Sequence, residues 1–122
     1  MIALLERNKW DVQATDFNGN TAITWAARWG HEEAVKVLLA QDDVNPDQVN
    51  QFGETPLLWA ARNGHDGVIR MLLERNDVNP DKANQWGETP LSQAAEKRHE
   101  RVAKMLMERN GIPPEKTNTE YG

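Results

Sequence analysis

Gly53-Glu54-Thr55-Pro56-Leu57-Leu58-Trp59-Ala60-Ala61-Arg62-Asn63-Gly64-His65 decides the architecture, because the chain carries this stretch three times. Thirty-four residues upstream stands Gly19-Asn20-Thr21-Ala22-Ile23-Thr24-Trp25-Ala26-Ala27-Arg28-Trp29-Gly30-His31. Thirty-four residues downstream stands Gly87-Glu88-Thr89-Pro90-Leu91-Ser92-Gln93-Ala94-Ala95-Glu96-Lys97-Arg98-His99. The connecting segments agree as well: Val44-Asn45-Pro46-Asp47 returns as Val78-Asn79-Pro80-Asp81 and, weakened, as Ile112-Pro113-Pro114-Glu115. A fixed period of this length belongs to a stack of like supersecondary units, each burying its apolar side against the next. Such stacks usually present a surface to a partner and carry no chemistry of their own.

The middle unit reads as two helices and a loop. Thr55-Pro56 is a helix start: a hydroxyl to cap the first turn, then proline at the first helical position, where its missing N–H is not needed. Leu57, Ala60 and Ala61 follow at helical spacing, and the small alanine pair lets a neighbouring helix come close. Gly64 ends this helix in the left-handed conformation that glycine adopts freely. A second helix is expected from Asp66 to about Glu74, with Val68, Ile69, Leu72 and Leu73 as its apolar stripe. Residues 76–84 read as a loop with Asn79-Pro80-Asp81 as turn chemistry, and Gln85-Trp86-Gly87 as a tight turn into the next Thr-Pro. Helices this short are marginal alone in water, so stacking is what makes them fold.

Composition excludes several classes. The net charge of −5 is the wrong sign for a nucleic-acid footprint, which is basic and clustered. The absence of cysteine removes disulfides and thiolate zinc sites. No apolar run approaches the roughly 20 residues of a membrane span, and Met1-Ile2-Ala3-Leu4-Leu5 is too short for a signal segment before Glu6-Arg7. The expectation is a soluble, intracellular (cytoplasmic) protein with no nucleic-acid or membrane partner.

These residues resemble the ankyrin repeat. The resemblance lies in Gly-x-Thr-Pro-Leu-x-x-Ala-Ala-x-x-Gly-His, then Leu72-Leu73 and Asp77-Val78-Asn79, and the middle unit meets it in full. The tetratricopeptide repeat shares the length but lacks Thr-Pro-Leu at the first helix and the glycine turn between units. The usual ankyrin period is about 33 residues, and the extra residue here falls in the Asn-Pro-Asp loop. The segment Leu72 to Asp81, together with Trp-Ala-Ala, also resembles ankyrin arrays in large fungal proteins of the NOD-like receptor type. The resemblance implies an all-α fold: an α-solenoid of about three 34-residue ankyrin repeats with turn or hairpin tips, plus partial terminal repeats. The single domain 1–122 then divides into a partial repeat at 1–16, repeats at 17–50, 51–84 and 85–118, and the start of a further unit at 119–122.

The ends and the third unit depart from the pattern. Leu4-Leu5-Glu6-Arg7-Asn8 has the register of a second helix whose first helix is missing, and Thr119-Glu120-Tyr121-Gly122 resembles the opening turn of another unit. This suggests a fragment of a longer array, or a short protein with unusual ends. Ile2, Leu4, Leu5 and Trp10 would then form an apolar end face suited to end-to-end self-association. In the third unit Arg98 replaces the turn glycine, Gln93 replaces the tryptophan, and Gly111 and Pro113 loosen the Asp-Val-Asn motif. This unit is expected to be the less stable one.

No site for catalysis or a cofactor is expected. His31, His65 and His99 occupy one equivalent position per unit. Packed helices lie roughly 8–10 Å apart, whereas zinc ligands sit about 2 Å from a shared ion, so the three do not converge on a metal. The resemblance instead makes this histidine a turn residue that hydrogen-bonds between units. Asp47 and Asp81 follow proline and read as turn formers. There is no glycine-rich phosphate loop, no nucleophile–base–orienter set, and no second histidine to complete a His-Glu-x-x-His motif. Trp25 and Trp59 stand where the family usually has leucine and are expected to pack in the core between units.

The resemblance places partner binding on the turn tips and the exposed side of each first helix. The tips are Phe17, Asn18 and Asn20, then Gln51, Phe52 and Glu54, then Gln85, Trp86 and Glu88. The helix ends are Arg28 and Trp29, Arg62 and Asn63, and Glu96 and Lys97. Exposed Trp, Phe and Arg are typical anchors, which singles out Trp29, Phe52 and Trp86; the alternative is that these rings pack along the neighbouring tip. Arg28 and Arg62 either face the partner, giving a gradient that favours an anionic one at the first two units, or pair with Glu54 and Glu88 as solvated ion pairs worth little. The function expected is non-catalytic recognition of a protein partner, in a larger multidomain sensor or scaffold. Two other readings remain: a structural spacer that self-assembles, and a site for a small anionic ligand between Trp29, Arg28 and Arg62.

Overall fold

The computed structural model describes residues 14–42 and 44–109. Among them are six α-helices and no strand, in three pairs that start at the 34-residue step of the sequence. The first helices are α1 (Ala22–Trp29), α3 (Pro56–Asn63) and α5 (Pro90–Glu96); the second are α2 (Glu32–Leu39), α4 (Asp66–Leu73) and α6 (Glu100–Arg109). One layer runs α1 on α3 on α5, the other α2 on α4 on α6, and the two helices of each pair also touch. The architecture is an all-α solenoid.

The core lies between the layers. Leu57, Ala60 and Ala61 of α3 and Val68, Ile69 and Leu72 of α4 are fully buried, joined by Ile23, Ala27, Val35, Ala94, Val102 and Leu106 from the flanking units. Each large side chain buried this way contributes about 1.5–3 kcal/mol, and no single unit closes this core by itself.

Local chemistry sets the helix bounds. Thr55 Oγ1 accepts the Leu58 N–H at 3.1 Å. Thr89 and Ser92 cap each other reciprocally, at 3.0 and 2.9 Å. Thr21 has Ala22 rather than proline after it, and its hydroxyl lies 3.2 Å from that of Thr24. Gly30 and Gly64 close α1 and α3 in the left-handed region, each with φ 73°. Helix α4 stops at Leu73, one residue before the expected end, with Glu74 as its C-cap.

One expectation is overturned. Trp25 and Trp59 do not pack in the core: Trp25 is 37% exposed, and Trp59 is half-buried. At about 100° per residue on a helix, Trp59 points nearly opposite the middle of Leu57, Ala60 and Ala61. Direction decides burial here, and ring size does not override it. The expectations on Ile2, Leu4, Leu5 and Trp10, on Gly111 to Glu115, and on the terminal partial units, save residues 14–16, lie outside the described residues.

Candidate functional site

Three turn tips stand side by side. At the head of each, one side-chain oxygen accepts two backbone N–H groups. Asp16 Oδ1 accepts from Asn18 and Asn20, both at 2.9 Å. Asn50 Oδ1 accepts from Phe52 and Glu54 at 2.9 and 3.0 Å, and Asn84 Oδ1 from Trp86 and Glu88, both at 2.9 Å. The tips are then joined edge to edge: the Gln51 N–H donates to the Asn18 carbonyl at 2.8 Å, and the Gln85 N–H to that of Phe52 at 2.9 Å. Sequence reading missed the role of Asp16, Asn50 and Asn84. The available signal was an Asp/Asn recurring at one register position three residues before each tip glycine.

The expected tip residues divide into two sets. Asn50 Nδ2 donates to Asn20 Oδ1 and to Glu54 Oε1, each at 2.9 Å. Asn20 and Glu54 are accordingly buried, at 7% and 5% exposure, and bind the stack together rather than face outward. Glu88 is half-buried and accepts from Asn84 Nδ2 at 2.8 Å. Phe17, Asn18, Gln51, Gln85 and Trp86 are exposed. Phe52 is half-buried because it stacks on Trp86, ring centroids 5.7 Å apart, while Trp86 stays 61% exposed.

The histidines act between units. The Nε2 of His65 lies 2.9 Å from the Arg28 carbonyl, and that of His99 lies 3.1 Å from the Arg62 carbonyl. A carbonyl only accepts, so Nε2 carries the proton in both. Asn63 Nδ2 also donates to the Arg28 carbonyl, at 2.8 Å. His31 is exposed. No three His, Cys, Asp or Glu side chains gather as a metal site among the described residues.

Along the outward side of the first helices runs an alternation of rings and cations. The Arg28 guanidinium lies 4.4 Å from the Trp59 ring centroid, 5.0 Å from that of Trp25 and 5.2 Å from that of Trp29. The Arg62 guanidinium lies 4.6 Å from the Trp59 ring centroid. All four distances are within the roughly 6 Å reach of a cation–π contact. The expected ion pairs are made by Arg62 alone, with Glu54 at 3.4 Å and Glu88 at 3.3 Å. The pair with Glu54 is not loosely solvated, since the Arg62 and Glu54 side chains keep only 19% and 7% exposure, whereas the Glu88 side chain keeps 37%. Arg62 Nε also donates to Gln93 Oε1 at 2.8 Å, and Gln93 passes the network on to Glu96 at 3.0 Å. None of the ion pairs among the described residues includes Arg28. Asn63, Glu96 and Lys97 are exposed.

Asp16 and Asn50 treat the indoles differently. Asp16 Oδ2 accepts from Trp25 Nε1 at 2.8 Å. The Asn20 backbone N–H, aided by the Trp25 indole and the Asn18 N–H, holds the Asp16 carboxyl below the ordinary value of 3.8. Asn50 offers an amide N–H₂ where Asp16 has its second oxygen, and the Trp59 indole N–H is without an acceptor among the described residues. On the loop side, the turns at Asp47 and Asp81 are made by the preceding asparagines: Asn45 Oδ1 and Asn79 Oδ1 accept the Asp47 and Asp81 N–H groups, each at 3.0 Å. The Asp47 carboxylate itself reaches the next loop, accepting the Asn79 N–H at 2.6 Å. Burial pushes the Asp47 carboxyl up.

Comparison with known families adds two findings. The profile for ankyrin repeats in three copies matches residues 42–118, and that for a single ankyrin repeat matches residues 18–51. No curated protein gives a significant match to the chain.

Proposed function

The chain belongs to the ankyrin repeat family, and on that premise we propose that it recognises a protein partner through its turn tips and the outward side of its first helices. Ankyrin repeats are generally protein–protein interaction modules, and the family is typically non-catalytic. The observation that carries the reading is where apolar surface remains. The exposed large hydrophobics among the described residues are Phe17, Trp25, Trp29 and Trp86, all on tips or on α1. The outward sides of the second helices instead carry Glu32, Glu33, Lys36, Arg70, Glu74 and Lys104. Rings held in place by Arg28 and by the Phe52–Trp86 stack lose little freedom on binding, which favours affinity. Around these rings the proposed surface includes Asn18, Gln51, Gln85, Asn63 and Lys97.

The proposal extends to the division into repeats at 17–50, 51–84 and 85–118, to a cytoplasmic location, and to a place in a multidomain sensor of the fungal NOD-like receptor type. Support for the last is the Leu72-to-Asp81 segment with Trp-Ala-Ala. No helix among the described residues is long and apolar enough to cross a membrane.

The test is an affinity capture with the chain and with a Trp29→Ala/Trp86→Ala variant whose circular dichroism matches the parent. A protein retained by the parent and lost by the variant is the expected result. Recovery of the same proteins by both removes the tips from the binding surface.

A further inference from the structure

We propose that Arg28 is the anchoring point for a carboxylate of the partner, an aspartate or glutamate set beside an apolar residue in an exposed segment. This rests on the recognition reading above and names the chemistry it uses. Arg28 and Arg62 occupy the same position in successive units but are not electrically alike. Arg62 is answered by Glu54, Glu88 and Gln93. At the position that gives Arg62 its own-unit carboxylate, the first unit has Asn20, a neutral amide. The carboxylate that would answer Arg28 from the next tip is Glu54 itself, and Glu54 is turned to Arg62 and Asn50.

Arg28 is therefore a half-buried cation met by Trp25, Trp29 and Trp59 and by no carboxylate among the described residues. Ring contacts fix a guanidinium in place but supply no oxygen to its five N–H donors. A planar fork already positioned and lacking an acceptor matches a carboxylate, which takes two parallel N–H groups at once. Trp25 and Trp29, 37% and 57% exposed, flank it and favour an apolar neighbour to the acid. The chain's charge of −5 opposes a polyanion such as nucleic acid or an anionic membrane at long range. A single carboxylate delivered by a protein segment to one half-buried arginine depends on short-range contact.

The experiment selects random short peptides displayed against the intact chain, then measures the recovered peptides by calorimetry. The expected peptides carry an acidic residue beside an apolar one. Replacing that acid by its amide weakens binding about ten-fold or more, Arg28→Gln weakens it as much, and the two changes together weaken it no further. Arg28→Lys restores part of the loss, having the charge without the fork. The peptide-side change leaves the protein untouched, so the result does not depend on how a variant folds. Peptides lost with Trp29→Ala that lack an acid, or whose acid is indifferent to Arg28, overturn the carboxylate and leave tip recognition standing. Binding that requires phosphoserine in place of the acid reassigns the site to phosphate and overturns the proposal. Failure to select any peptide sensitive to Trp29→Ala or Arg28→Gln overturns both.

Discussion

Asp16 and Asn50 hold the same register position and differ in one functional group, and that difference determines which indole is tied down. The second Asp16 oxygen accepts from Trp25; the Asn50 amide donates to Asn20 and Glu54 instead. The folded-state pKa of Asp16 is depressed below 3.8, chiefly by the Asn20 N–H. A depressed carboxyl contributes stability that is present above its unfolded value and lost as pH falls through the folded one. The Trp25 indole N–H resonance is therefore expected to shift with a midpoint below pH 3.8, and Asp16→Asn should abolish that shift. A midpoint at or above 3.8 contradicts the assignment. At this scale the sequence was only partly legible. The repeat marks Trp25 and Trp59 as special, but reading them as core weighs ring area and neglects direction, which the helical angle relative to Leu57, Ala60 and Ala61 already contains. The counter-charging of Arg62 but not Arg28 was half legible: the repeat shows Asn20 where the unit of Arg62 has Glu54, but only the fold shows that Glu54 turns to Arg62 and not to Arg28.

Helix termini were the most legible elements, because their chemistry is local. Thr55-Pro56 and Thr89-Pro90 start α3 and α5 as read, and Gly64 ends α3 with φ 73°. Gly64 has a second reason that sequence does not show: a Cβ there would come within 2.7 Å of the His99 ring, which holds the Arg62 carbonyl. Arg98, at the equivalent position, keeps the left-handed conformation with φ 63° and is exposed. The two sites should thus respond in opposite senses. Gly64→Ala combines left-handed strain with displacement of His99 and is expected to cost about 2–3 kcal/mol. Arg98→Gly removes about 1–2 kcal/mol of backbone strain and gives back part of it as glycine's greater unfolded freedom, for a net gain of about 0.5–1 kcal/mol. Urea unfolding of the three proteins checks both signs; a destabilised Arg98→Gly would mean that the arginine side chain makes contacts worth more than the strain.

For the molecule as a whole, the 34-residue period was sufficient to give the solenoid, because period fixes what stacks on what without any knowledge of long-range contacts. It does not make the units equal. Leu57 and Ala61 are fully buried, whereas their equivalents Leu91 and Ala95 are half-buried and exposed. Helix α3 packs between α1 and α5; α5 has α3 as its one first-helix neighbour among the described residues, is seven residues long, and is followed beyond its Lys97 cap by the strained Arg98. The polar contacts of Gln93 with Arg62 and Glu96 satisfy a buried amide but remove no apolar area from water. In a linear stack, stability is nearly a sum of unit and nearest-neighbour contributions, so opening follows the weakest sum rather than a global transition. Native-state hydrogen exchange should accordingly show the amides of α5 opening at lower free energy than those of α3, by an amount that narrows in Arg98→Gly. Equal protection of the two helices would mean that the units open as one, and that the missing apolar burial around α5 is made good elsewhere in the fold.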